Sequence, residues 1–147
     1  MPVTQHQADC IFCRIVNGDM PAAVVMRSDR VLAILDAFPS SRGHCLVLPT
    51  EHHENLMAMP TDLLTACAET TQLIARAAQA TLQPDGIALT QFNGAAAGQT
   101  IFHYHQHVIP RWRGQDWRSH GKEKADPEEL LMLAERIRRN LEREERE

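Results

Sequence analysis

The stretch from His103 to Pro110 holds the residues with the clearest chemical potential in the chain. It reads His-Tyr-His-Gln-His-Val-Ile-Pro, so histidines stand at positions 103, 105 and 107. The alternation predicts a β-strand with all three imidazoles on one face, each about 7 Å from the next. Near neutral pH an imidazole can act as nucleophile, acid, base or metal ligand. A solvated strand face or the remnant of an affinity tag is the alternative, but a tag is normally contiguous and terminal.

A pair of cysteines, Cys10 and Cys13, forms the second candidate for chemistry. The Cys-x-x-Cys spacing occurs in zinc sites, in redox motifs and in ordinary helices, so it is a weak signal alone. A closed tetrahedral zinc site needs two more ligands, and the candidates are one of His52 and His53 and one end of the histidine run. The spacing leaves zinc and two free thiols open. A thioredoxin-like redox pair is disfavoured because no strand precedes it.

The elements that must position these residues follow from the apolar pattern and the turn residues. Grouped strands with only one long internal helix favour an antiparallel α+β sheet over a parallel, doubly wound one. The predicted strands cover 24–27, 31–36, 45–48, 87–92 and 102–109.

Three helices are predicted around these strands. A short helix covers 11–16, where apolar residues recur at spacings of three and four. A long helix begins after Pro60 with Thr61 or Asp62 as its cap, and it ends at 84–86. A carboxyl-terminal helix opens at 126–127. Its apolar stripe comprises Leu130, Leu133, Ile137 and Leu141.

The composition narrows the class of protein. At 147 residues the chain fits one domain, and its 15 Lys plus Arg against 19 Asp plus Glu predict no nucleic-acid-binding surface. No apolar run approaches the roughly 18 residues of a membrane span, and the amino terminus lacks secretory features, so we expect no membrane contact and a cytoplasmic location. Four cysteines are then expected as thiols or metal ligands, with Cys45 and Cys67 as small core residues.

Four further blocks accompany the histidine run in a fixed order. They are residues 10–15 with Gly18, 32–36, 43–49 and 98–102. Together with residues 103–109 these blocks resemble the histidine triad (HIT) family, and the first is similar to its zinc-containing, Hint-like bacterial branch. The resemblance covers about residues 10–111. It implies a homodimer of single HIT domains over 1–147, each with a five-stranded antiparallel sheet, and with a loop and helix in 112–147.

The resemblance also implies a catalytic site for purine nucleoside monophosphate derivatives. His105 would be the nucleophile, forming a covalent nucleotidyl-histidine that water then hydrolyses. His107 would contact phosphate, and His44 would orient the triad, unless it is only a satisfied buried histidine. The implied phosphate contacts are Asn93, His107 and the backbone amides of Gly98, Gln99 and Thr100. Asp36 would bind ribose, and the implied contacts of the base are Ile11, Phe12, Ile15, Ile34, Leu35 and Leu46.

In the zinc-containing branch the metal ligands correspond to Cys10, Cys13, His52 and His103, although the neighbouring His53 leaves the third ligand ambiguous by one residue. Four protein ligands make a closed site, so the resemblance implies a structural Zn²⁺ that does not activate water.

Some residues depart from the family pattern. Gln106 replaces a usually apolar residue and is expected on the sheet face opposite the triad. The alanines at 95–97 lack the polar residues of many relatives, and Trp112 and Trp117 are expected to cap the core rather than to shape a partner subunit's site.

The leading functional prediction is a hydrolase or nucleotidyl transferase acting on phosphoramidate-type derivatives of adenosine or guanosine 5′-monophosphate. A dinucleoside polyphosphate hydrolase on the same scaffold is the closest alternative. A nucleotide-binding regulatory or interaction protein with incidental activity is another. The cysteines and histidines could also form a zinc-handling cluster.

Overall fold

A computed structural model describes residues 7–116 and 123–146. Its five strands form one sheet in the spatial order β1-β2-β3-β5-β4, and every neighbouring pair is antiparallel. The predicted α+β class with a five-stranded antiparallel sheet is therefore confirmed. The strands are β1 Val24–Arg27, β2 Val31–Leu35, β3 Cys45–Pro49, β4 Gly86–Thr90 and β5 Gln106–Arg111.

All three predicted helices are present: α1 Ile11–Val16, α2 Thr61–Leu82 and α3 Pro127–Arg146. The predicted cap of α2 is wrong, because Pro60 occupies the N-cap position and no side chain caps the helix. Asp62 instead forms an ion pair with Arg30 at 2.9 Å. None of the described helices is long and apolar enough to cross a membrane.

The two faces of the sheet are both covered, by different elements. On one face α2 and α3 pack against alternate strand residues such as Ala33, Val47 and Val108. On the other face α1 packs its Phe12 and Val16 against a second apolar cluster. Because both faces are covered, every residue of β2 and β3 is buried. The short helix α1 therefore covers part of the sheet face on which the histidines lie.

The histidine run is a strand only in its second half, which corrects the prediction of a strand over 102–109. β5 begins at Gln106, so His107 alone of the three histidines lies in the sheet. The ladder between β3 and β5 ends at the pair of Val47 and Gln106. It cannot continue to Pro49, which has no N–H group, and the amide of Tyr104 donates instead to the carbonyl of His53 at 2.7 Å.

Alternation of side chains nevertheless persists along the run. Tyr104 and Val108 pack on the helix-covered face, and Gln106 stands opposite Val47 on that same face, as predicted. His107 pairs with Leu46, which belongs to the cluster around α1. Of the two tryptophans expected to cap the core, Trp112 is half-buried. Trp117 lies outside the described residues.

Candidate functional site

The three histidines of the run and His44 form one buried group. The ring centroids of His105 and His107 are 5.0 Å apart, and those of His44 and His107 are 5.2 Å apart. All four residues are buried, with His105 the most exposed at 6%. Burial on one face beneath α1 removes the solvated-face alternative for the histidine run, since these rings lie inside the protein.

The backbone fixes the protonation of His105. Its Nδ1 lies 2.7 Å from the carbonyl oxygen of His103, and a carbonyl oxygen can only accept. Nδ1 of the neutral ring therefore carries the hydrogen, and Nε2 carries the lone pair. The ring also meets Phe12 edge-on at a centroid distance of 4.9 Å. This geometry presents a nitrogen nucleophile in a fixed orientation.

A second chain of hydrogen bonds fixes the proton of His107. The amide of Ser40 donates to Nδ1 of His44 at 3.0 Å, so the hydrogen of the neutral His44 ring is on Nε2. That Nε2 donates to Nδ1 of His107 at 2.9 Å, which leaves the hydrogen of His107 on its Nε2. The neighbouring rings of His105 and His107 thus differ at Nε2. In His105 this nitrogen has the lone pair, and in His107 it carries the hydrogen.

Asp36 joins this chain at the end of β2. Its Oδ2 is 3.5 Å from Nε2 of His44, and its Oδ1 accepts from the amide of Phe38 at 2.9 Å. The residue is 7% exposed. The carboxylate predicted to bind ribose therefore contacts the imidazole that orients His107.

The apolar residues predicted around the base do not all reach one face. Phe12, Ile34 and Leu46 lie in the cluster around α1, with Ile15 packed against it, while Ile11 is partly exposed. Leu35 belongs to the helix-covered cluster, which corrects its assignment to the base pocket. The reason is the strand period, because adjacent residues of β2 point to opposite faces.

The loop predicted to hold phosphate, residues 93–100, makes many of its hydrogen bonds internally. The amides of Gly98 and Gln99 donate to carbonyls of the same loop, Gly98 to Ala95 at 3.1 Å and Gln99 to Gly94 at 3.0 Å. Within the described residues, Thr100 makes no hydrogen bond through its amide or hydroxyl. Of the three predicted donors, Thr100 is therefore the one whose backbone amide is not used by another part of the described chain.

Phe92 is a residue of this site that was not predicted from the sequence. Its ring centroid is 5.7 Å from that of His107, and its ring would contact any side chain added at Gly98. The strand register contained the signal, because Thr90 stands opposite His107 and Phe92 follows two residues later on the same face.

Four potential metal ligands meet at the amino-terminal side of the histidine run: Cys10, Cys13, His52 and His103, whose ligand atoms all lie within 4.8 Å of one another. Sγ of Cys13 is 3.4 Å from Nδ1 of His52 and 3.6 Å from Nδ1 of His103. A tetrahedral zinc site separates its sulfur and nitrogen ligands by about 3.5 Å, so these spacings fit the ion. His53 instead faces Glu51, at 3.2 Å.

The protonation states also fit a cation. Nε2 of His103 donates to the carbonyl of Pro49 at 2.8 Å, which leaves Nδ1 of the neutral ring with its lone pair toward the thiols. Burial lowers the pKa of His103 to about 4, so the ring is neutral at pH 7. Burial also raises the pKa of Cys13 to about 11. A thiolate at this position therefore requires a nearby cation.

Comparison with known proteins identifies the class that this fold and site define. The family model described as the HIT domain matches residues 17–114, and the chain belongs to the HIT family. Its members are nucleotide-binding proteins, generally hydrolases or transferases.

Three similar proteins cover most of the chain. The protein named adenylylsulfatase HINT3 from Arabidopsis thaliana is 38% identical over 141 residues, which are 92% of this chain and 71% of that protein. A HIT-like protein involved in cell-cycle regulation from Bartonella henselae has a TM-score of 0.87 at 33% identity, over 93% of this chain and 99% of that one. A Zn-bound histidine triad family protein from Mycobacterium smegmatis has a TM-score of 0.81 at 35% identity, over 93% and 96% of the two chains.

Proposed function

We propose that this protein hydrolyses phosphoramidate-type derivatives of purine nucleoside 5′-monophosphates through a covalent nucleotidyl-histidine on His105. The observation that carries the proposal is the pair of opposite tautomers in neighbouring rings. The contact of His105 with the carbonyl of His103 leaves a lone pair on Nε2, whereas the contact of His107 with His44 leaves a hydrogen there. One ring can attack phosphorus while the other donates to a phosphoryl oxygen.

The proposed reaction has two displacements. Nε2 of His105 attacks the α-phosphorus, the bond from phosphorus to the leaving nitrogen breaks, and the amine departs with that electron pair and takes a proton from solvent. Water then attacks the same phosphorus, the bond to Nε2 breaks, and the imidazole recovers its lone pair as the water proton passes to solvent. His107 stabilises the negative oxygens in both steps, because phosphoryl transfer depends mainly on positioning and charge stabilisation.

The nucleoside would lie beside Asp36 and the cluster around α1. A carboxylate can accept hydrogen bonds from both ribose hydroxyls. Phe12, Ile34 and Leu46 supply an apolar surface suited to a purine ring.

The leaving group is proposed to be an amine rather than a nucleotide. The exposed turn of the phosphate loop, Ala95–Ala97, carries no charge. A polyphosphate leaving group would be favoured by Lys or Arg at this turn, since cations stabilise its extra negative charge.

We propose that the four-ligand cluster holds a structural Zn²⁺. A zinc ion bound by four protein ligands has no open position, so it supplies cross-linking and does not activate water. Cys10 caps α1 through the amide of Cys13 at 3.4 Å, and His103 precedes β5, so these ligands would tie the amino-terminal helix to the catalytic run. The Zn-bound relative from Mycobacterium smegmatis supports this proposal.

We also propose that the protein is a homodimer located in the cytoplasm. β4 is an edge strand whose Leu89 is 53% exposed, and such an edge can pair with a second chain. Light scattering coupled to size exclusion tests the dimer, and a Leu89→Lys variant is expected to shift it toward monomer.

Two substrates test the proposed activity. Purified protein is incubated with an adenosine 5′-phosphoramidate and, separately, with a dinucleoside polyphosphate, and the kcat/KM values are compared. We expect the phosphoramidate to be preferred. A much higher kcat/KM for the dinucleoside polyphosphate would show that the preferred leaving group is a nucleotide rather than an amine. No turnover of either substrate would favour a nucleotide-binding protein.

A further inference from the structure

The side chain of Gln99 is fully engaged with backbone groups. Only 4% of the residue is exposed. Its Oε1 accepts from the amide of Gly94 at 2.8 Å, and its Nε2 donates to the carbonyls of Glu54 and Ile101 at 2.7 and 3.0 Å. A primary amide has two hydrogens, and both are occupied. Gln99 therefore cannot donate to a phosphate through its side chain without breaking a buried hydrogen bond.

Asn93 makes a parallel set of contacts at the other end of the loop. Its Oδ1 accepts from the amide of Leu56 at 2.9 Å and from Nε2 of Gln91 at 2.8 Å. Its Nδ2 donates to Oε1 of Gln91 at 3.0 Å. The two ends of the phosphate loop are thus both tied to residues 54–56.

Residues 52–56, here called the linking segment, make four contacts with three parts of the site. His52 belongs to the four-ligand cluster, and the carbonyl of His53 accepts from the amide of Tyr104 inside the histidine run. Glu54 and Leu56 then hold the phosphate loop through Gln99 and Asn93. The segment lies outside the helices and strands until the 3-10 turn Leu56–Ala58 begins, so these contacts determine its position.

We propose that Gln99 and Asn93 are positioning residues that clamp the phosphate loop to the linking segment, and that metal binding at His52 tightens the loop through this clamp. The inference rests on the proposed function in naming the loop's ligand as a phosphate and in placing a metal ion at the four-ligand cluster. It differs from the prediction for Asn93, whose side chain acts on the shape of the loop rather than on phosphate, and it gives the side chain of Gln99 a role where none was predicted.

Amide hydrogen exchange of the ligand-free protein tests the clamp. A Gln99→Leu variant keeps the approximate size of the side chain and removes its three hydrogen bonds, and we expect exchange in 93–100 to accelerate about tenfold or more. The matched control is Gln106→Leu, because Gln106 also donates to a backbone carbonyl, that of Thr90 at 2.8 Å, but outside the loop. If Gln99 instead contacts only phosphate, exchange in the ligand-free loop will not change.

A conservative pair at Asn93 gives an independent measurement. Asn93→Asp retains an oxygen that can accept from the amide of Leu56, whereas Asn93→Ala does not. We expect the alanine variant to show fast exchange in 54–56 and 93–100, and the aspartate variant to restore much of the protection. Wild-type protection of these segments in the alanine variant would overturn the positioning role. Slow exchange over α2 verifies that each variant is folded.

Removing metal from the wild-type protein tests the second half of the proposal and needs no substitution. Chelator-treated and zinc-loaded protein are compared by the same exchange measurement, and we expect faster exchange in both the linking segment and the phosphate loop without metal. Unchanged exchange in 93–100 would contradict the coupling. Because none of these measurements uses a substrate, the clamp can stand or fall independently of the proposed hydrolysis.

Discussion

The Nδ1–H group of His105 donates to the carbonyl oxygen of His103 at 2.7 Å, so the backbone of one histidine sets the tautomer of another. The same His103 offers its side chain to the cysteines of the metal cluster, with Nδ1 at 3.4 Å from Sγ of Cys10. A single residue thus connects the proposed structural centre with the proposed nucleophile. Its position is held by Pro49, whose carbonyl accepts from Nε2 of His103 at 2.8 Å.

Replacing His105 should separate binding from turnover. We expect His105→Ala to lose hydrolysis by several orders of magnitude and to bind AMP with affinity within a few-fold of wild type, since ribose, base and phosphate contacts remain. Calorimetric titration and single-turnover assays measure the two quantities. His53→Ala is the control for loss of an imidazole outside the catalytic group, and undiminished turnover in His105→Ala would refute the nucleophile.

The orienting role of His44 predicts a graded effect of substitution. His44→Leu removes the donor to Nδ1 of His107, and we expect kcat/KM to fall about 10- to 100-fold. His44→Gln provides an amide donor and should recover part of this loss. The kcat/KM of both variants is measured. Equal kcat/KM values for His44→Leu and wild type would leave His44 as a buried histidine with no chemical role.

The four-ligand cluster predicts one tightly held zinc per chain. We expect Cys13→Ala to lose the metal and to unfold at a lower temperature, because the ion no longer links α1 to the histidine run. Cys67→Ala is the control, since it removes a buried thiol that lies in the helix-covered core. Elemental analysis measures the metal content, and thermal denaturation measures the unfolding temperature. Several exchangeable metals per chain would favour a zinc-handling protein instead.

The buried thiol of Cys45 predicts a loss of stability at high pH. Burial raises its pKa from 9.0 to about 12, so the unfolded chain releases this proton before the folded chain does. The contribution of Cys45 to stability is therefore complete below pH 9 and is lost as the pH rises toward 12. Urea unfolding at pH 8 to 10.5 should show a shallower decline for Cys45→Ala than for wild type. Identical slopes would contradict the assignment.

The sequence predicted the elements well because local apolar patterns determine them. The buried side of α2 carries apolar residues such as Leu63, Cys67 and Ile74 at helical spacing. The strand over 102–109 was overextended because alternation continues in extended chain whether or not a partner strand is present. Whether the ladder continues depends on Pro49 and on the contact of Tyr104 with His53, and both lie far away in sequence.

The site was predicted in its residue types and less well in its contacts. The resemblance named the four ligand candidates that the structure brings together, and the structure distinguishes His52 from His53 by its neighbours. The roles of Gln99 and Asn93 could not be predicted, because their partners Glu54 and Leu56 are 45 and 37 residues away. Phe92 was missed because its relation to His107 depends on the register of β4 and β5.

Trapping the reaction intermediate tests whether His105 is the nucleophile. The protein is mixed with a slowly hydrolysed adenosine phosphoramidate, quenched, digested and mapped by mass spectrometry. We expect an adenylyl group attached to Nε2 of His105, absent from His105→Ala and formed before AMP is released. Turnover without any adduct, or an adduct on another residue, would contradict this assignment.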